Sequence, residues 1–107
     1  MSLDIYLTTK APVTVFSANI THNLTAMADA AGIYQHIWHP EELGITKAQQ
    51  LIKPLKTALK LLKSDPDGFK RYDNEKAWGQ YNDFVSFVQD YLTACKAKPR
   101  ASISAHS

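Results

Sequence analysis

The fold is decided first by residues 2–18, which read SLDIYLTTKAPVTVFSA. In the first half of this stretch every second residue is apolar, namely Leu3, Ile5 and Leu7. That alternation is typical of a β-strand with one buried face. In the second half, Val13 and Val15 occupy the predicted core face, against Thr14 and Phe16 on the other. Residues 9–12 are short and polar, so we predict an antiparallel hairpin.

Three later segments predict helices, because their apolar residues recur at three- and four-residue spacings. The first covers residues 22–31, with Asn19 and Thr21 as alternative N-caps and Gly32 as the stop signal. The second covers residues 46–63. The third and longest covers residues 77–96 and supplies the main core face.

The second helix carries two local signals. Thr46 and Gln49 have the spacing of a capping box, which predicts the start of this helix. Pro54 lies inside it and cannot donate a backbone hydrogen bond, so a kink or a short pre-helix turn is expected there.

The order of these elements predicts the fold class. Residues 101–105 alternate small apolar residues with serines and form a weak third strand that could pair with the hairpin. We therefore predict an α+β fold in which a small antiparallel sheet, the N-terminal hairpin plus the C-terminal strand, is covered on one face by about three helices. A chain of 107 residues with 45% hydrophobic content supports one core, so residues 1–107 are predicted to form a single domain.

Composition excludes several classes of protein. Twelve basic and ten acidic residues leave a net charge of +2, which excludes a polycationic or acidic disordered chain. Cys95 has no second cysteine to pair with, which indicates a reducing compartment. The first twenty residues contain Asp4 and no unbroken apolar run, so neither a signal peptide nor a membrane span is predicted. A cytoplasmic location is expected.

The most unusual segment is residues 19–23, which place four hydrogen-bonding side chains at a strand-to-helix junction. Free N–H groups and the positive end of a helix dipole at such a junction can hold an anion or a carbonyl oxygen. The dipole also favours neutral His22, a hydrogen-bonding partner rather than a cation. Asn19, Thr21, His22 and Asn23 are therefore candidate ligand-binding residues. The alternative is that Asn19 or Thr21 only caps the helix and the others face water.

Two aromatic groups could form walls for the same pocket. Tyr34 and Trp38 precede a proline, and Trp78 and Tyr81 flank Gly79, whose missing Cβ would let a planar ligand approach and stack. The alternative for Trp78 is that it closes one end of the core.

Metal, cofactor and nucleic-acid sites are not predicted. His36 and His39 have H-x-x-H spacing, followed by Glu41 and Glu42, but Pro40 prevents one helix from aligning both imidazoles. No glycine-rich phosphate loop or other cofactor motif is found in the sequence. The second helix carries five lysines and no acid, and we expect this stripe to be a solvated face. Without an arginine cluster or a known motif, sequence-specific nucleic-acid binding is not expected.

Several segments resemble small uncharacterised proteins encoded by tailed bacteriophages and prophages. These segments are NITHNL at residues 19–24, AGIY at 31–34, WHPEE at 38–42 and WGQY at 78–81. The resemblance spans most of the chain and departs at His39, where that group more often carries arginine. It implies a phage-encoded accessory protein acting in the bacterial host cytoplasm, where such proteins commonly antagonise host systems.

Three functions follow as hypotheses. The first is non-enzymatic binding of a small polar or nucleotide-like ligand, in a host-antagonising role. The second is a protein–protein interaction module, acting on a host protein or forming a homodimer, that uses an exposed sheet face or edge carrying Tyr6, Thr14 and Phe16. The third is a small enzyme with His22 as acid or base. The predicted elements leave little chain for a catalytic loop, which favours binding over catalysis.

Overall fold

The central strand of the sheet, β1 (Ser2–Thr8), pairs on both of its sides. The computed structural model describes residues 2–73 and 80–107. Strand β2 (Thr14–Thr21) forms the predicted hairpin with β1, and β3 (Ser102–His106) pairs with the other side of β1. Both pairings are antiparallel, and the strand order is β2-β1-β3.

The described residues also contain five α-helices and two 3₁₀ turns. The 3₁₀ turns cover His22–Leu24 and Pro40–Leu43. The helices are α1 (Thr25–Ala30), α2 (Tyr34–Trp38), α3 (Gln49–Ser64), α4 (Pro66–Lys70) and α5 (Tyr81–Ala97).

The helices cover one face of the sheet. Leu3, Ile5 and Leu7 of β1 are completely buried on that side, whereas Tyr6, which points to the other side, is 38% exposed. The longest helices, α3 and α5, pack against each other, and α5 also packs against β2. The predicted class is confirmed: the fold is α+β, with the hairpin and the C-terminal strand in one antiparallel sheet.

The predicted core face of β2 holds for Val15, which packs partly buried against the core, but it is wrong for Val13 and Phe16. Leu7 pairs with Phe16, but Thr8 pairs with Thr14, so the ladder skips Val15. A one-residue irregularity of this kind moves every later side chain to the opposite face. Phe16 therefore lies on the core side, while Val13 is 52% exposed.

The helix boundaries differ from the predictions in their capping. The first predicted helix is a 3₁₀ turn followed by α1, and it stops at Gly32, which has a φ of +79°. Before α3, the Gln50 side-chain oxygen accepts hydrogen bonds from the N–H groups of Thr46 and Lys47, so the Thr46–Gln49 capping box is not formed. Helix α3 continues through Pro54.

A capping box is found instead at the start of α5, between Gln80 and Asp83. The short helix α4 follows α3 directly, with Asp65 between the two. The predicted start of the last helix, residues 77–79, lies outside the described residues. Within residues 2–73 and 80–107, no helix is both long enough and apolar enough to cross a bilayer.

Candidate functional site

Two of the predicted junction residues are held by bonds within the protein. The Asn19 amide lies on the open face of the sheet, where Nδ2 donates to Asp4 Oδ1 at 2.6 Å and to Ser2 Oγ at 2.9 Å. Thr21 is the N-cap, because its Oγ1 accepts a hydrogen bond from the Asn23 N–H at 3.2 Å. The N-terminus predicted to hold an anion is thus capped by its own chain, and the helical segment behind it is short.

Three other predicted residues come together. The His22 ring meets the Trp38 ring edge-on, with 6.2 Å between centroids, and Tyr34 stacks on Trp38 at 5.5 Å. Trp38 is only 2% exposed. Its Nε1 and the Nε2 of His22 are buried and have no hydrogen-bonding partner among the described residues. Buried polar atoms are normally paired, so each of these two nitrogens lacks a polar contact that a ligand could supply. Asn23 is exposed beside them in sequence.

The second predicted aromatic wall is not assembled in the described residues. The Tyr81 hydroxyl donates to the Leu62 carbonyl oxygen at 2.7 Å, and the Tyr81 N–H donates to Asp73 Oδ1 at 2.6 Å. Tyr81 is buried where α5 meets the end of α3, so its side chain serves packing. Trp78 lies outside the described residues.

A groove of about 580 Å³ runs between β2 and α5. We call it the β2–α5 groove. Its apolar lining comes from both elements and the turn between β2 and α1, and comprises Phe16, Ala18, Ile20, Leu24 and Phe87. Polar residues of β2 line one side, and Asp83, Ser86 and Asp90 line the other. These last three residues share one face of α5, because they are spaced by three and four residues.

The β2–α5 groove is acidic. Asp83 and Asp90 are exposed, and no lysine or arginine is among the residues that line the groove. Asp83 accepts a hydrogen bond from the Gln80 N–H, whereas Asp90 has neither an ion pair nor a hydrogen bond within the described part of the chain. A net charge of +2 therefore conceals a locally negative surface.

Strand β2 is also an open sheet edge. Its eight residues contain no charge and no proline, and its backbone makes no inter-strand hydrogen bonds except to β1 in the described chain. The opposite edge is partly covered, since the Ile103 N–H donates to the Thr46 carbonyl at 3.0 Å and Lys47 forms a bridge with Ser102.

The residues predicted as a site do not define the β2–α5 groove. The predicted site includes Asn19 and Thr21 from its wall but omits Phe16, Phe87 and the two aspartates. One usable signal was present, namely the spacing of Asp83, Ser86 and Asp90 along the long helix. A local sequence pattern could not predict that this face of α5 lies beside β2, because the two elements are about sixty residues apart in the chain.

A cluster of polar side chains, separate from the groove, lies around His39. Its Nδ1 lies 3.6 Å from Glu41 Oε1 and 3.5 Å from Glu42 Oε2. His36 does not join them: it shares a hollow with Lys53 and Pro54 of α3, and burial lowers the pKa of its imidazole.

The lysine stripe of α3 is exposed. Lys47 precedes α3 and donates to Ser102 Oγ at 3.0 Å. The other four lysines lie on α3, are exposed and make no ion pairs with described residues; they are Lys53, Lys56, Lys60 and Lys63.

Comparisons with known proteins give no further assignment. No protein-family model matches the chain, and neither a curated protein nor a solved structure matches it.

Proposed function

We propose that this protein is a binding module whose partner is an extended, basic segment of another protein. The observation that carries the proposal is an uncharged, uncovered edge strand lying beside an acidic groove. The bound segment would pair with β2 as a fourth strand and place alternate side chains into the β2–α5 groove. The resemblance to phage proteins supports a host protein as the partner.

The edge strand supports strand addition. Natural sheets usually protect long edge strands with charges, prolines, bulges or covering segments, because free backbone groups pair with any available strand. The outer edge of β2 has no covering segment among the described residues and carries neither charge nor proline, and its irregularity beside Val15 leaves residues 16–21 in regular pairing. Backbone pairing would supply affinity, and the side chains that enter the groove would supply specificity.

The charge of the groove selects the partner. Asp83 and Asp90 are seven residues apart on α5, which is about 10 Å along a helix. Two basic residues four positions apart on a strand lie on one face and are separated by about 13 Å, within reach of both carboxylates through their flexible side chains. An apolar residue between them would contact the ring of Phe16 or Phe87.

A second copy of the chain fits the groove less well. Antiparallel pairing of β2 with another β2 would place two α5 helices side by side on the same face of the extended sheet. The aspartates of both copies would then meet across the seam, and like charges oppose association. A basic segment from a different protein avoids this repulsion.

The experiment uses two nine-residue peptides of alternating valine and threonine that begin with valine, so the fifth residue, between the two charged positions, is apolar. One carries lysine at its third and seventh positions, and the other carries glutamate there. We expect the lysine peptide to bind with micromolar affinity in calorimetric titrations, and the glutamate peptide to bind at least about tenfold more weakly. Binding of the lysine peptide should also slow amide hydrogen exchange in β2.

Charge-reversal variants complete the test. Asp90→Lys should weaken binding of the lysine peptide about tenfold, because its carboxylate faces the groove. Asp29→Lys makes the same charge change on exposed α1 and should leave binding unchanged. Equal binding of both peptides, or binding of neither, contradicts the proposal. A stable dimer that protects β2 from exchange would instead assign the edge to a second copy.

The unpaired nitrogens of His22 and Trp38 favour a second candidate function, the binding of a small polar or nucleotide-like ligand. Nucleoside monophosphates at millimolar concentration should then raise the thermal midpoint of the wild type. His22→Phe and Trp38→Phe keep an aromatic ring but remove the polar nitrogen, so both should abolish the rise. Asn82→Ala, at an exposed asparagine of α5 outside the predicted site, is the control. If no nucleotide stabilises the wild type, this candidate is rejected.

A further inference from the structure

We infer that His39, Glu41 and Glu42 form a binding site for a divalent transition-metal ion of the zinc class. One imidazole nitrogen and two carboxylate oxygens, one from each residue, all lie within 4.8 Å of one another. The site is separate from the β2–α5 groove and shares no residue with it.

The distances in this cluster match shared ligation better than direct hydrogen bonding. A charge-assisted hydrogen bond from an imidazolium to a carboxylate has a donor–acceptor distance of about 2.7–2.9 Å. His39 Nδ1 lies instead at 3.6 and 3.5 Å from the two carboxylate oxygens. Two ligands that bind one tetrahedral ion at about 2.0–2.1 Å are separated by roughly 3.4 Å. The two separations between the imidazole nitrogen and the carboxylate oxygens are therefore close to those of two ligands that share one tetrahedral ion.

The imidazole is oriented from its other side. The Tyr34 hydroxyl oxygen lies 3.4 Å from His39 Nε2, and the Tyr34 ring stacks on buried Trp38. With Nδ1 as the metal ligand, Nε2 carries the proton and donates to the Tyr34 hydroxyl oxygen. Partners of this kind fix the tautomer and the ring orientation of metal-binding histidines. Tyr34 therefore directs Nδ1 toward the two carboxylates.

The backbone also brings the ligands together before an ion binds. His39 precedes the 3₁₀ turn Pro40–Leu43, whose buried Pro40 anchors it to the core. The Glu42 N–H donates to the His39 carbonyl at 3.1 Å, and Gly44 ends the turn with a φ of +70°. All three ligands come from four consecutive residues, so little chain has to be ordered on binding.

The charge and type of the donors define the ion. Neither glutamate pairs with a lysine or arginine in the described chain, so with a neutral imidazole the cluster carries two uncompensated negative charges. A divalent cation neutralises them. An imidazole nitrogen beside two carboxylates suits zinc, cobalt or nickel better than calcium or magnesium, which prefer oxygen ligands alone. The fourth coordination position stays available for water.

Direct metal titration of the full chain tests the site. Zn²⁺ should bind the wild type with micromolar affinity at neutral pH, in competition with a chromophoric chelator. Co²⁺ should give the visible absorption of a tetrahedral nitrogen–oxygen site. His39→Ala and Glu42→Gln should each weaken Zn²⁺ binding by at least about tenfold, as loss of a ligand does. Tyr34→Phe should weaken it to a smaller extent.

Matched controls separate this site from other histidines. His36→Ala should leave Zn²⁺ affinity unchanged, because His36 faces α3. Glu41→Gln repeats the test on a second exposed carboxylate, should His39→Ala fail to fold. The inference is overturned if Zn²⁺ binds the wild type no more tightly than it binds the His39→Ala and Glu41→Gln variants. Loss of binding in His36→Ala would equally overturn it.

Discussion

The Cys95 thiol shows how burial changes the chemistry of a single side chain. Cys95 is completely buried in α5, and desolvation raises the pKa of its thiol to about 12. Burial also raises the pKa of Tyr91, one turn earlier in the same helix. The thiolate is the reactive form of cysteine, and the fold suppresses it. Cys95 is thus a small apolar core residue, as expected for an unpaired buried cysteine.

Cys95 should therefore be unreactive in the native protein. At pH 8 in native buffer, we expect a disulfide-exchange reagent to label Cys95 only as fast as the chain unfolds. In denaturant, the same reagent should label Cys95 immediately. Above about pH 9 an unfolded chain loses the thiol proton while the folded chain retains it, so the free energy of unfolding should fall with rising pH. Urea titrations at pH 8 and pH 10 measure this fall, and Cys95→Ala should reduce it. Rapid labelling in native buffer would contradict the expectation.

Tertiary contacts also distinguish residues that the sequence treats as equivalent. Asn19 and Thr21 are both good N-cap residues, yet Thr21 caps the turn and Asn19 binds Asp4 and Ser2 across the sheet. His36 and His39 are likewise three residues apart, but one faces α3 and the other faces two glutamates. Neither distinction can be read from residue type.

Among the elements, β2 departs most from its sequence pattern. Alternation over residues 13–18 correctly predicts a strand, but the pairing irregularity beside Val15 decides which side chains enter the core. Phe16 gains a stacked contact with Tyr91 at 5.4 Å, and its large ring adds apolar contact area to the core. Its position on the core side also places it in the lining of the β2–α5 groove.

Truncation of the two candidate core residues tests the register. Phe16→Ala should lower the free energy of unfolding by about 2–3 kcal/mol, because it removes a half-buried ring from the contact with Tyr91. Val13→Ala should change it by less than about 0.5 kcal/mol, because Val13 is on the surface. Chemical denaturation of both variants gives the comparison. A larger loss for Val13→Ala would support the alternation read from sequence instead.

Over the whole molecule, charge and sheet edges are distributed unevenly. Four lysines form an exposed face on α3, while the β2–α5 groove carries two exposed aspartates. One sheet edge is partly covered by residues 46 and 47, and the other is open. The open edge coincides with the acidic groove, and this coincidence makes a basic, extended partner the best fit.

The predicted site illustrates how far local patterns reach. Polarity marks His22 as a candidate in the sequence, aromatic character marks Tyr34 and Trp38, and the fold packs the three rings together. Tyr81 is a candidate on the same grounds but is buried at the α3–α5 contact. The groove went unpredicted because half of its lining is on β2 and half is on α5.

By itself, the sequence determined the α+β class, the hairpin, the long final helix and the exposed lysine face, because periodicity and charge spacing act over a few neighbouring residues. Only the tertiary structure decided the register of β2, the covered and open sheet edges, and the grouping of His39 with two glutamates. These features depend on one skipped residue in a strand ladder and on packing between distant segments. The free energy of packing the whole core determines such features, and it cannot be inferred from a local sequence pattern.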